Sequence, residues 1–378
     1  MDQDRSARKL PSLNARRQAG ARIWVLRAAT VTISILIALA VCEVALRLVW
    51  SNPYQSEGNA ADKAQYLRLR IQPAGVDFQV DRSTIDPKMQ PVRFRTNERS
   101  YILPVGQHEQ PQATVAFLGG SSTECMAVDE PLRFPALVSS LLAERGLMVN
   151  SLNAGASGNT LHDSLNILVN HVVEDHPDYV VVMNVSNDVG VLDDQGDYRS
   201  RLAHSLEWSQ FTEVAKSELS RRSALMGLLR KVKSGIKSGS KIQVNDSRLL
   251  EWRNDPGRAE KIAADQYRSR LRAFVGAARG LGIQPILMTE PLSGARNSMT
   301  PEWADMGAQD RFNAIVRQVG AETHTPVFDL AQHLQDHVPH WDEPGKVFYD
   351  GAHVNDAGSR VYATFIADQL ATLIRPTE

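Results

Sequence analysis

From Ala113 onward the sequence alternates short apolar runs with longer amphipathic stretches, and this alternation restricts the fold more than any other feature of the chain. The runs "TVAFLG", "MVNSLN" at 148–153, "YVVVMNV" at 179–185, "PILMTE" at 285–290 and "PVFDL" at 326–330 are too short for helices and read as buried strands. Helical periodicity fills 133–145, 160–174, 264–281, 309–322 and 356–374, the last with Asn355 or Asp356 placed to cap it. Strands joined by helices of this length run parallel, and a parallel sheet needs helices on both faces. The expectation is an α/β domain over 112–378, a three-layer α/β/α sandwich around a parallel five-stranded sheet. Its functional loops should collect at the carboxyl ends of the strands. A chain of 378 residues, 43% of them hydrophobic, can fill such a core and still carry appendages.

Two regions fall outside the alternation. Between about 193 and 263 no strand is evident, and the stretch from Arg221 to Lys241 holds Arg222, Arg230, Lys231, Lys233 and Lys237 with no acidic residue. This reads as a helical, basic insertion, either a solvated face or a surface for anionic headgroups or an acidic polymer. The formal net charge of the whole chain is only -1, so nothing global points to nucleic acid, and no nucleic-acid partner is expected. Before the domain, residues 51–111 are polar with scattered apolar groups and read as a linker and a partly folded lead-in.

At the N-terminus, residues 28–50 are apolar, and as a helix of 23 residues they would extend ~34 Å, enough for a hydrocarbon core ~30 Å thick. Arg5, Arg8, Lys9, Arg16, Arg17, Arg22 and Arg27 precede them against Asp2 and Asp4. The positive-inside rule then keeps a basic tail, 1–27, in the cytoplasm and sends the rest across, into the periplasm if the host is bacterial. A cleaved signal peptide, or a lipoprotein signal ending at Cys42, is the alternative; Val41 is large for such a site and the apolar run continues past Cys42. Glu43 and Arg47 lie four apart on one helical face and read as a lone interfacial ion pair.

Chemistry concentrates at the strand ends. In "FLGGSSTE" the strand stops at Gly119 and Gly120, whose freedom allows a sharp turn that presents Ser121 at the sheet edge. Ser122 would point elsewhere and, with Thr123, bond the following turn or cap a helix. A serine hydroxyl needs a base, and the base needs a group to fix its tautomer. "FYDGAHVNDAG" holds Asp350 and His353 three apart, just before the final helix. Donors for a developing oxyanion are available at Gly158 in "NAGASGNT" and Asn187 in "NVSNDVG".

Ser121, Gly158, Asn187 and the Asp350/His353 pair, in this order and at these strand ends, resemble the four signature blocks of the SGNH hydrolases, also called GDSL esterases. The lead-in "VRFRTNERSYILP" is similar to a short motif of membrane-anchored members. The resemblance implies a flavodoxin-like sheet in strand order 2-1-3-4-5. It also implies a Ser121 nucleophile, a His353 base oriented by Asp350, and an oxyanion hole of the Ser121 N–H, the Gly158 N–H and the Asn187 amide. It implies no cofactor and no metal. Gly120 stands where the family usually has aspartate, and Val185 where it has glycine two residues before the asparagine. Asp188 reads as a loop-ordering residue.

The expected protein is therefore a membrane-anchored serine esterase acting on a short acyl ester, with an envelope glycan or lipid as the suggested substrate. An O-acyltransferase and an inactive binding module are the other readings. His333, His337 and His340, with Asp336, Asp342 and Glu343, form the competing constellation, the first two spaced as a one-face helical pair; it is a candidate for a divalent metal or for a surface loop rich in polar residues. Cys125 lacks the strand-end position of Ser121.

Overall fold

A computed structural model of the chain describes residues 13–56, 69–83, 85–106, 108–195, 197–198, 208–236, 256–293 and 306–374. The basic residues Arg5, Arg8, Lys9, Lys237 and Lys241 lie outside them. In chain order the elements begin with α1 (Leu13–Val49), β1 (Asp77–Val80), β2 (Val92–Arg95), β3 (Ala113–Gly119), α2 (Ser121–Glu124) and α3 (Phe134–Ala143). Then come β4 (Val149–Asn153), α4 (Leu161–Asn170), β5 (Tyr179–Met183), α5 (Ser186–Gln195), α6 (Trp208–Arg222) and α7 (Ala224–Ile236). The chain closes with α8 (Pro256–Gly280), β6 (Gln284–Met288), α9 (Met306–Thr323), β7 (Val327–Phe328), α10 (Leu330–His337) and α11 (Asp356–Leu373). Two compact units result, Met1–Gln55 with Ser217–Ser240, and Ser56–Lys216 with Lys241–Glu378.

The larger unit is built on a parallel sheet in the order β4-β3-β5-β6-β7, the 2-1-3-4-5 order of a flavodoxin-like three-layer sandwich. Alternation along the strands divides the core in two. Ala116, Leu118, Val180, Val182 and Leu287 pack under α4, α8 and α9. Val115, Phe117, Val181, Met183 and Ile286 pack under α3, α10 and α11. Because the strands are parallel, the segments after β3, β4, β5 and β6 all emerge at one edge of the sheet, which is where the site forms.

The lead-in is more ordered than its composition suggests. β1 and β2 pair antiparallel from Asp77↔Arg95 to Val80↔Val92, and the Ile102 N–H donates to Asn153 O at 2.9 Å, so this segment covers the edge strand β4. The side chain of Arg133, only 1% exposed, pins it down by donating to Leu103 O (2.6 Å), Arg93 O (2.7 Å) and Cys125 O (3.3 Å), with its guanidinium over Phe94. Burial pushes the Arg133 pKa down, yet three carbonyl acceptors satisfy the donors that burial strips of water.

The smaller unit contains α1, whose Trp24–Val49 stretch is long and apolar enough to cross a membrane and is unburied. By length and position it suits either an anchor or a signal sequence. Glu43 and Arg47 do pair, at 2.7 Å, but they are not a lone interfacial pair. The Glu43 carboxylate accepts from Ser223 Oγ (2.7 Å) and from the Ala224 and Leu225 N–H groups (2.9 and 3.0 Å), while Arg47 donates to Arg222 O at 2.5 Å. A carboxylate 180 residues upstream thus satisfies the open first turn of α7, where the helix dipole favours negative charge.

Candidate active site

Ser121 opens α2 directly after Gly120, and its Oγ lies 2.6 Å from His353 Nε2. His353 Nδ1 lies 2.6 Å from Asp350 Oδ2, and Asp350 Oδ1 accepts from the Ala352 and His353 N–H groups at 3.0 and 2.7 Å. Burial works against the Asp350 charge, but the bonds from His353 and these backbone donors prevail and hold its carboxyl below the ordinary carboxylate range. Gly351 between them, at φ 90°, permits the tight loop. A hydroxyl on one imidazole nitrogen and a carboxylate on the other form the relay that general-base activation of a serine requires.

Asn187 occupies the first turn of α5, and its Nδ2 donates to Asn159 O at 2.9 Å. An amide nitrogen carries two hydrogens, and this bond uses one. A Cβ at Gly120 would stand 2.3 Å from that Nδ2, so the glycine in place of the family's aspartate makes room for the Asn187 amide against the nucleophile turn. Gly158 adopts φ 74° between Ser157, whose hydroxyl donates to Glu124, and Asn159, whose carbonyl also accepts from Asn184. Asp188 accepts from the Leu161 N–H (3.1 and 3.0 Å) and from the Tyr198 hydroxyl, tying α5 to the start of α4 as a loop-ordering residue should.

Ser122 differs from expectation. Rather than bonding its own turn, its hydroxyl donates to Glu290 Oε1 at 2.7 Å, while Glu290 Oε2 accepts from the Val185 and Ser186 N–H groups at 2.8 Å each. One buried carboxylate after β6 therefore holds both the nucleophile turn and the loop carrying Asn187. It accounts for the Val185 position, where the backbone N–H bonds Glu290 and the side chain is buried in the core. Glu124 plays a similar part, accepting from Gln72 (2.5 Å) and Ser157; burial pushes its carboxyl up despite these bonds. Arg70 of the lead-in donates to Asn159 Oδ1 (3.0 Å) and Ser157 O (2.5 Å). The sequence signal for Glu290 is an acid at the end of an apolar run, and Glu124 lies three residues after Ser121 in the same motif; their partners lie on other elements.

The competing histidines lie elsewhere. His333 and His337 stack on α10, as their helical spacing predicts and in place of a surface loop, and His333 also stacks on Phe365. Among the described residues no three His, Cys, Asp or Glu side chains gather as a metal set. Cys125 is buried and its thiol is pushed up to about 12 by that burial, which removes it as a nucleophile at neutral pH.

The model of the GDSL-like lipase/acylhydrolase family matches residues 117–361, nearly two thirds of the chain. The chain belongs to this family. The acylhydrolase is an ester-bond hydrolase, and the matched range runs from Phe117 in β3 into α11. No curated protein matches it. Among solved structures it is similar to a lipase/acylhydrolase from Enterococcus faecalis, at 17% identity over 70% of this chain and 99% of that one, with a TM-score of 0.44. It is also similar to Axe2, an acetylxylan esterase from Geobacillus stearothermophilus, at 18% identity over 69% of this chain and 94% of that one, with a TM-score of 0.41.

Proposed function

We propose that this acylhydrolase is a single-pass, membrane-anchored serine esterase that forms an acyl-Ser121 intermediate. Residues 1–27 lie in the cytoplasm, 28–50 span the membrane and the hydrolase domain lies outside. The observation that carries the catalytic reading is the continuous Ser121–His353–Asp350 contact, two bonds of 2.6 Å. Ser121 Oγ attacks the acyl carbon as its proton passes to His353 Nε2, and Asp350 steadies the imidazolium that forms. The oxyanion is met by the Asn187 amide with the Ser121 and Gly158 N–H groups. His353 then protonates the departing alkoxide, leaving acyl-Ser121, and the same imidazole activates the water that releases the acid. The intact relay favours this reading over an inactive binding module. Tethering outside the cytoplasm makes an acylated envelope glycan or lipid the proposed substrate.

The test is intact-mass analysis of the full-length protein after brief exposure to a panel of acyl donors. An acyl increment is expected on the peptide containing Ser121; Ser121→Ala abolishes it, and Ser122→Ala, which loses only the bond to Glu290, retains it. An increment that survives Ser121→Ala moves the nucleophile and ends the proposal. Faster release of the acyl group by an added sugar than by water would assign a transferase. For the anchor, a reporter fused after Glu378 is expected to be active only outside the cytoplasm, and activity inside sinks the proposed topology.

A further inference from the structure

The mechanism above leaves one cluster without a purpose, the amphipathic basic helix α7 and its attachment to α1. Leu225, Leu228, Leu229 and Val232 recur at the spacing of a single helical face, and Leu229 and Val232 are 54% and 53% exposed. Arg230, Lys231 and Lys233 supply the charge, with no acidic residue anywhere in α7. An exposed apolar face beside cations is costly in water and is what a helix at a lipid headgroup boundary requires, because the acyl region takes the leucines and the phosphates take the cations.

The attachment specifies the occupant of that face. Glu43 bonds Ser223 Oγ and the Ala224 and Leu225 N–H groups, so α7 begins at the last turns of α1. Asn52, just past the end of α1, donates to Ser220 O at 2.7 Å, and a Cβ at Gly227 would strike its side chain at 2.5 Å. The Arg230 guanidinium lies over the Tyr54 ring, 4.2 Å from its centroid. Within this unit, then, the exposed face of α7 belongs to the same body as Val44, Leu48 and Val49 of α1, which are themselves exposed apolar residues. We infer that α7 is an interfacial helix that seats its Leu229/Val232 face in the outer leaflet and binds anionic headgroups through Arg230, Lys231 and Lys233. The inference rests on reading α1 as a membrane span. Glu43 then acts as a clamp that fixes where along the span α7 meets the lipid.

The full chain carrying Cys42→Ser, reconstituted in vesicles of phosphatidylcholine with phosphatidylglycerol, provides the test. Cysteines introduced one at a time at Ile37, Val232 or Lys233 carry an environment-sensitive fluorophore, the remaining Cys125 being buried, and lipids spin-labelled near the headgroup or near the acyl terminus act as quenchers. The probe at Val232 is expected to be quenched several-fold more by the shallow label than by the deep one, and the probe at Lys233 only weakly by either. Pure phosphatidylcholine, or the variant R230Q/K231Q/K233Q, should reduce the Val232 quenching. Glu43→Gln should reduce it as well, by loosening the start of α7. The probe at Ile37 reports the anchor separately: deep quenching there with none at Val232 overturns the inference and keeps the span. Loss of deep quenching at Ile37 overturns both. A blue-shifted but unquenched Val232 probe that depends on the protein-to-lipid ratio assigns the face to a second copy of the chain and also overturns it.

Discussion

Substituting His353 with alanine is expected to lower ester turnover by a factor on the order of 10^3 or more, because it removes the imidazole that is in contact with the Ser121 hydroxyl and can take its proton. Asp350→Asn keeps the shape of the loop, but its amide can face Nδ1 with a donor and favour the wrong imidazole tautomer. Its loss should be comparable, since both variants disable the same step. The double variant should then be scarcely worse than either single one, which is the behaviour of groups acting as a unit. Stability offers an independent check with a definite sign. The Asp350 carboxyl is held below its ordinary value of 3.8, so its bonds stabilise the fold above that pH and the contribution is lost as pH falls through the lower folded-state pKa. Asp350→Asn should flatten that acid limb, whereas His353→Ala should retain the part due to the backbone donors. Kinetic effects that multiply independently would reject the relay, and chelator-sensitive activity that survives His353→Ala would direct attention to His333 and His337.

The strands that carry this site were legible because buried parallel strands leave continuous apolar runs, and the observed boundaries differ by one to a few residues. β7 is the shortest, ending at Phe328 because the Asp329 side chain, bonded by Arg317 at 2.6 and 2.9 Å, caps the start of α10. The hairpin β1–β2 was not legible, since each strand has four residues and pairs Asp77 with Arg93 on an exposed face, a pattern that composition reads as linker. α5 is hidden for a related reason: "SNDVG" resembles a turn, and what makes it a helix start is Glu290, in the segment after β6, accepting the Val185 and Ser186 N–H groups. α8 begins at Pro256, eight residues before the 264 start that its apolar periodicity predicts, with proline at the first position where its missing N–H costs nothing. The hydrogen-bond partners of the Ser121 hydroxyl and the His353 imidazole were recoverable from motif spacing, whereas Tyr349, whose ring stacks on that imidazole, was not. The carboxylates that hold those motifs together were not, because their partners are distant in sequence and chosen by the fold.

The Gly120 position allows a sharper test of how the site is assembled. A methyl group there would lie 2.3 Å from Asn187 Nδ2 and 3.2 Å from Asn159 O, so Gly120→Ala must push the Asn187 amide off its position or shift the carbonyl that orients it. If that amide meets the oxyanion, displacing it should cost about as much as deleting it, ~10^2 to 10^3 in turnover with KM little changed, because the interaction matures only in the transition state. Asn187→Ala is expected to show the same loss. In the Asn187→Ala background Gly120→Ala should add little, since the side chain it collides with is gone. Gly120→Asp, which restores the residue usual in the family, carries the same Cβ and should also be impaired in this chain. A thermal melt of each variant separates displacement of one amide from loss of the fold. Full activity in Gly120→Ala alongside a crippled Asn187→Ala would mean that the amide finds its place despite the added methyl. Effects that multiply in the double variant would mean that the glycine serves the nucleophile turn itself, and the assignment of Asn187 as the partner that requires it would be wrong.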